Sequence, residues 1–206
     1  MRILGVVSNR GLLGLRCLLR FDVFPFIDSA GKNVIENYGV TQVSGKAHFA
    51  NTTNAEVNRL KAPLSDSYSM QSDFDVVMTV NVQTYAGKSD QTLLDCTDSG
   101  NNMQFFLKSN GNVRLGFNQD GSSVNLYSLA SSGYLLPVAT DVLLKIERRG
   151  TTVKVLADGV QIAIASGELS ARFNIQRSLA VGALDVNSPN GYGLYGTIEN
   201  FSWVNL

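Results

Sequence analysis

The chain has 206 residues, 44% of them hydrophobic, a size that suits one all-β domain with a single buried core. Only 17% are charged and the formal net charge is zero, so no global field attracts nucleic acid or an anionic membrane. No stretch approaches the ~18–20 uninterrupted apolar residues of a membrane-spanning helix, and the two cysteines, Cys17 and Cys96, give neither a disulfide framework nor a metal spacing.

The charge is nevertheless uneven. Residues 1–20 hold Arg2, Arg10, Arg16 and Arg20 and no acid. Residues 1–13 therefore read as an arm with a docking role, followed by one domain over 14–206. Asn9, Arg10 and Arg16 interrupt the apolar run and no small-residue cleavage site follows, so a soluble product made without processing is the expectation.

After the arm, Leu15, Cys17, Leu19 and Phe21 alternate with Arg16, Leu18 and Arg20, as in a strand at the border of a sheet. Pro25 and the run from Asp28 to Gly31 end it. Short strands are predicted at 35–43, 46–51 and 59–64, diluted by Gly39, Gly45 and Pro63. Phe74, Val76, Met78, Val80 and Val82 make the longest alternation, with Asp75, Thr79, Asn81 and Gln83 on a wet opposite face beside Val77. Leu93 to Cys96 follows. A hairpin is then predicted in which Met103, Phe105 and Leu107 answer Val113, Leu115 and Phe117 across Asn110-Gly111. Asp120-Gly121 marks a turn and Val124 to Ser128 a short strand.

Residues 142–164 write three strands and two turns. Val142, Leu144 and Ile146 alternate, Arg149-Gly150 interrupts, and Val153 and Val155 resume; Asp158-Gly159 then turns the chain into Val160, Ile162 and Ile164. Asp-Gly suits a two-residue type I′ hairpin. Ser178 to Gly182 and Gly196 to Leu206 close the chain; no window of helical periodicity exceeds two turns, and only Leu169 to Arg177 permits one. The pattern implies an all-β fold, a two-sheet antiparallel β-sandwich with a closed barrel as the alternative. Both cysteines fall in apolar strand patterns, so buried thiols are expected ahead of a Cys17–Cys96 bridge.

In its order of segments the chain resembles the laminin-G-like, concanavalin A-like jelly-roll domains over residues 15–206. The resemblance rests on Leu19-Arg-Phe-Asp, Ile27-Asp-Ser-Ala-Gly-Lys, Phe74-Asp-Val-Val-Met-Thr-Val and Leu144-Lys-Ile-Glu-Arg-Arg-Gly. It continues through Val153-Lys-Val-Leu-Ala-Asp-Gly, Leu179-Ala-Val-Gly-Ala and Gly196-Thr-Ile-Glu-Asn-Phe-Ser-Trp. Members often open the strand matching Asp141 to Ile146 with Trp and His, and this chain has neither there. Short, cysteine-poor single domains of this kind resemble those of bacteriophage structural and tail proteins.

Glucanases that share the jelly roll set two Glu and an Asp at alternate positions of one strand. Here Glu36, Glu56, Glu147, Glu168 and Glu199 are isolated. His48, the only histidine, has no nucleophile motif to serve and reads as structural, and no Gly-Lys pair carries P-loop spacing. An enzyme is therefore not expected. Hard cations want several oxygen ligands, which Asp95, Asp98, Asn101 and Asn102 supply on one connection and Asp185, Asn187 and Asn190 on another. Calcium is thus the one cofactor left open, although these residue types also make turns unaided. Tyr127, Tyr134, Tyr192 and Tyr195 lie in or beside loops and are the candidate glycan contacts, whereas Trp203 reads as core.

Two function classes follow. The first is a virion structural or interaction protein (tail, fibre or capsid-decorating) whose arm, with Arg2, Arg10 and Arg16, docks on other virion proteins in an oligomeric assembly. The second is an extracellular carbohydrate-binding or adhesion module contacting cell-surface glycan; a glycoside hydrolase ranks third.

Overall fold

The computed structural model describes residues 15–22, 25–29, 34–52, 58–62, 72–97, 102–119, 122–127, 134–165, 178–184 and 192–206. They form sixteen strands: β1 (Leu15–Arg20), β2 (Ile27–Asp28), β3 (Glu36–Tyr38), β4 (Thr41–Val43), β5 (Lys46–Ala50), β6 (Arg59–Ala62), β7 (Phe74–Val82) and β8 (Gln91–Thr97), then β9 (Asn102–Leu107), β10 (Val113–Gln119), β11 (Ser122–Tyr127), β12 (Val142–Arg149), β13 (Thr152–Ala157), β14 (Val160–Ala165), β15 (Leu179–Val181) and β16 (Tyr195–Asn205). The predicted segment Leu169 to Arg177, the turn at Asp120-Gly121 and residues 1–13 lie outside the described residues.

Two antiparallel sheets result, so the sandwich and not the closed barrel is the architecture. One runs β14-β13-β12-β7-β16-β1-β2, with β5 also paired to β16 and β4 to β5; the other runs β11-β10-β9-β8-β15-β6-β3. β16 organises the first sheet. Its full length pairs with β7, while its other edge takes β5 along Tyr195 to Ile198 and β1 along Ser202 to Val204. A bulge between Glu199 and Ser202, with Asn200 at φ 58°, separates the two halves.

The alternation of β7 is borne out: Phe74, Val76, Met78, Val80 and Val82 are all buried. Facing them across the core stand Leu94, Cys96, Met103, Phe105, Leu107, Val113, Leu115 and Phe117 of the second sheet. Each large side chain so buried contributes on the order of 1.5–3 kcal/mol. Cys96 is a fully buried thiol outside any disulfide, as its apolar setting implies. Trp203 is core, its ring centroid 5.4 Å from that of Phe74 and its Nε1 donating to Asn205 Oδ1 at 2.9 Å.

The hairpin of β9 and β10 is met in register but corrected in its turn, and that of β13 and β14 is met in its turn but corrected in register. Val113, Leu115 and Phe117 do face Leu107, Phe105 and Met103. The connection, however, is a longer loop in which Gly111 N donates to Lys108 O and Lys108 N to Asn112 O, both at 2.8 Å. Gly111 alone of that loop has positive φ, the geometry of a turn followed by a bulge and not of a two-residue type I′ loop. Asp158-Gly159 is the type I′ turn expected, with φ 49° and 82°. The strand after it departs from prediction. A bulge between Val155 and Leu156 shifts register, so Ile162 and Ala163 are buried while Val160 and Ile164 are exposed.

The predicted strand at 35–43 is two strands in different sheets: β3 pairs with β6, whereas β4 pairs with β5. Gly39, at φ 75°, turns the chain between them, and Val40 is anchored by Asn37, whose Oδ1 accepts from Val40 N and whose Nδ2 donates to Val40 O, both at 2.9 Å. Beyond it, Ser44-Gly45 (φ 52° and 79°) forms a tight hairpin turn that the sequence reading passed over.

Candidate functional site

The strand directions give the sandwich two poles. Val82, Gly196, Val142 and the Asp158-Gly159 turn lie at one, here the distal pole; Phe74, Asn205, Gly150 and the start of β1 lie at the other. The distal pole is held together by backbone-directed side chains. Asn51 is fully buried, donates from Nδ2 to Asn58 O at 3.1 Å and Leu194 O at 3.0 Å, and accepts from Asn58 N at 2.7 Å. Gln91, equally buried, donates to Thr84 O at 3.0 Å and accepts from Tyr195 N at 2.8 Å. These bonds fix the segment at 192–195 against β5 and β8.

Next to this framework, the outer face of the first sheet carries a continuous polar patch. Tyr195, Thr197 and Glu199 alternate outward from β16, while Gly196 and Ile198 point inward. Thr197 stands opposite Asn81 on one side and His48 on the other. Gln83 Nε2 donates to Asn81 Oδ1 at 3.2 Å, Asn81 Nδ2 donates to Asp141 Oδ1 at 2.9 Å, and Lys46 Nζ donates to Asp141 Oδ2 at 2.5 Å. Lys46 also pairs with Glu199 at 3.6 Å. At the Tyr195 end, Lys88 Nζ donates to Asn51 O at 2.6 Å and lies 5.0 Å from the tyrosine ring centroid. His48 Nδ1 is 3.4 Å from Thr41 Oγ1, at the margin of the patch.

The pairing of Lys46 with Asp141 favours the charged form of each. The hydrogen bonds from Lys46 and Asn81 hold the Asp141 carboxyl below the usual carboxylate range, and the hydrogen bond to Asp141 raises Lys46 above its ordinary value. Asp141 and Glu199 thus share one lysine, and Asp141 is driven away from the protonated state that a glycosidase acid needs. What the patch can do is offer an aromatic face, two amides, a lysine and two carboxyl groups to a ligand rich in hydroxyls.

The four predicted tyrosines do not meet on one surface. Tyr195 belongs to the polar patch. Tyr192 packs over Phe106 on the outer face of the other sheet, with centroids 6.3 Å apart, and Arg114 Cζ lies 5.9 Å from the Phe106 ring. Tyr127 is registered opposite Arg114 on β11, in the same row. Tyr134 sits at the distal pole near Tyr85, half-buried, its hydroxyl pushed up by burial and by the Asp158 carboxylate. Of the calcium candidates, Asp95 is a fully buried residue of β8 whose Oδ1 accepts from Gln104 Nε2 at 3.1 Å. Asp98, Asn101, Asp185, Asn187 and Asn190 lie outside the described residues, as do Arg2 and Arg10; Arg16 is placed in β1 by its backbone. Asn81, Gln83, Lys46 and Asp141 were missed as site residues. The signal for the first two is present in the sequence, since both fall on the wet face of the β7 alternation.

No protein-family model and no curated protein matches the sequence. Solved structures do match. The binding domain of botulinum neurotoxin serotype D is similar with a TM-score of 0.74 at 12% identity, covering 96% of this chain and 49% of that one. The serotype C1 binding domain gives 0.72 at 8%, covering 95% and 50%. A structure of botulinum neurotoxin type C, whose cell entry depends on interaction with two ganglioside molecules, gives 0.72 at 8%, covering 96% and 49%. This is a jelly-roll-like β-sandwich. The chain spans about half the length of the solved structures it matches, and at such identities the likeness carries the fold alone.

Proposed function

We propose that this chain is a non-catalytic recognition module that binds a cell-surface glycan across the outer face of the first sheet, and that it is displayed on a bacteriophage virion through residues 1–13. The observation that carries the glycan reading is the patch itself: Tyr195 beside Gln83, Asn81, Lys46 and Asp141, a stacking face next to fixed donors and acceptors. The resemblance to similar receptor-binding domains, one of them from a toxin whose entry depends on gangliosides, supports the same class. The virion reading is supported by the Arg-bearing arm ahead of a neutral sandwich and by the resemblance of this short, cysteine-poor domain to those of phage structural and tail proteins.

A glycan array probed with the full chain, with and without calcium, tests the first part. Binding that is lost in Tyr195→Ala and Asn81→Ala, at unchanged thermal stability, is the expected outcome. Silence on a broad set of bacterial and animal glycans would refute it. Incorporation into particles of a chain lacking residues 1–13 tests the second part, and normal incorporation would refute that.

A further inference from the structure

The distal pole carries an apolar surface that the glycan patch does not use. Leu135, Val138 and Val160 are 55%, 47% and 66% exposed. Tyr134 and Pro137 adjoin them in the segment at 134–140. This segment is fastened down: Leu136 N donates to Gly111 O at 2.9 Å, Tyr85 Oη donates to Leu136 O at 3.0 Å, and Ala139 N donates to Val82 O at 2.7 Å. Val160 follows the Asp158-Gly159 turn, which is tied to β12 by Asp158 N donating to Leu143 O and Leu143 N donating to Asp158 Oδ1, both at 2.9 Å. The surface is therefore preformed. Residues 134–140 carry no charge; Asp141, which follows them, is paired with Lys46, and Asp158 is the carboxylate whose charge acts on Tyr134.

Residues 1–13 supply the complement: Ile3, Leu4, Val6, Val7, Leu12 and Leu13 are apolar, Arg2 and Arg10 are cationic, and no acid is present. Their point of attachment matters most. Leu15 pairs with Val204, next to the end of the sandwich where Leu206 N donates to Asp73 O at 2.8 Å and Gly150 N to Asp73 Oδ1 at 2.6 Å. The arm thus joins the body at the pole opposite the apolar surface.

We propose that residues 1–13 of one copy dock on the distal apolar pole of a second copy, with an arginine facing Asp158, a head-to-tail contact between copies. This rests on the docking reading of the arm and adds its acceptor. The nine-residue β7 sets a pole-to-pole length of roughly 27–30 Å. To cover its own distal pole, the arm would spend about eight of its thirteen residues on the way back. A copy stacked end to end presents its pole to the arm at once.

Sedimentation of the full chain over a range of concentrations tests the contact, using one variant lacking residues 1–13 and another carrying Leu135→Asp and Val138→Asp. Leu135→Ser with Val138→Ser is a milder version should the charges disturb folding. Concentration-dependent self-association is expected for the full chain, with loss in either variant alone. Mixing the armless chain, whose pole is intact, with the pole variant, whose arm is intact, should restore a one-to-one pair that grows no further. A full chain that stays monomeric throughout would overturn the contact. Self-association that survives removal of residues 1–13 would overturn the arm's part in this contact, whereas its docking on the virion is refuted separately, by normal incorporation of the armless chain. If the armless chain is monomeric but the pole variant associates normally, or if the two fail to pair on mixing, the arm stands and its acceptor is not this pole.

Discussion

Gly159 and Gly182 hold almost the same backbone angle, φ 82° and 88°, in opposite surroundings. A Cβ built at 159 meets no atom within 4 Å, whereas one at 182 falls 2.1 Å from Phe49 Cε1 and 2.2 Å from Cδ1, on the flank of a fully buried ring. Gly159→Ala therefore adds only the cost of holding an L-residue in the left-handed region, about 1–2 kcal/mol. Gly182→Ala adds that cost and forces a core ring to move, a further 1–3 kcal/mol for overpacking, about 2–5 kcal/mol together. Urea unfolding of the two variants measures the difference. A double-mutant cycle with Phe49→Leu isolates its cause: relieving the clash should give a coupling of about 0.5–3 kcal/mol with Gly182→Ala and none with Gly159→Ala. Equal losses for the two glycine variants, or additive behaviour of Gly182→Ala with Phe49→Leu, would refute the close contact between β5 and the turn after β15.

Other tests follow from the same geometry. Asn51→Ala leaves Leu194 O and Asn58 N without their side-chain partner in a buried setting, and should cost about 2–4 kcal/mol in chemical denaturation. Surface removal of Tyr195 or Asn81 should instead leave the melting temperature alone and reduce only glycan binding. Asp141 titrates below its unfolded value of about 4, so its contribution is present above about pH 4 and lost as pH falls through the lower folded value. Asp141→Asn should flatten that acid limb slightly, since both partners are open to water; urea midpoints between about pH 2 and 5 would show it.

The inner face was legible because burial imposes a period of two, and β7, β9, β10 and β12 keep it without interruption. Legibility failed where pairing altered the local count. Nothing in Val160-Gln-Ile-Ala-Ile164 announces the bulge that buries Ala163 and exposes Ile164, because the bulge is set by how β14 meets β13. Likewise Glu36 to Val43 reads as one strand until Gly39 and Val40 carry it from one sheet to the other. The site was the least legible part. Lys46, Asn81, Asp141 and Tyr195 come from four separate stretches of sequence, and it takes the pairing of β16 with both β5 and β7, together with that of β12 with β7, to make them neighbours.

That distribution also explains how much the likeness to other sandwiches can carry. Inward positions such as Val80 and Ile198 answer to the opposite sheet, so their apolar character is constrained by packing at any identity. Outward positions such as Asn81, Thr197 and His48 answer only to one another and to solvent, and their chemistry can change without moving a strand. Similarity at 8–12% identity therefore transmits the frame and leaves the outer face free. On the glycan reading proposed above, the ligand is to be sought in the outward residues of this chain. Exchanging Asn81, Tyr195 and Lys46 should alter what is bound while the sandwich keeps its stability, and a triple variant that unfolds would mean that the patch belongs to the frame after all.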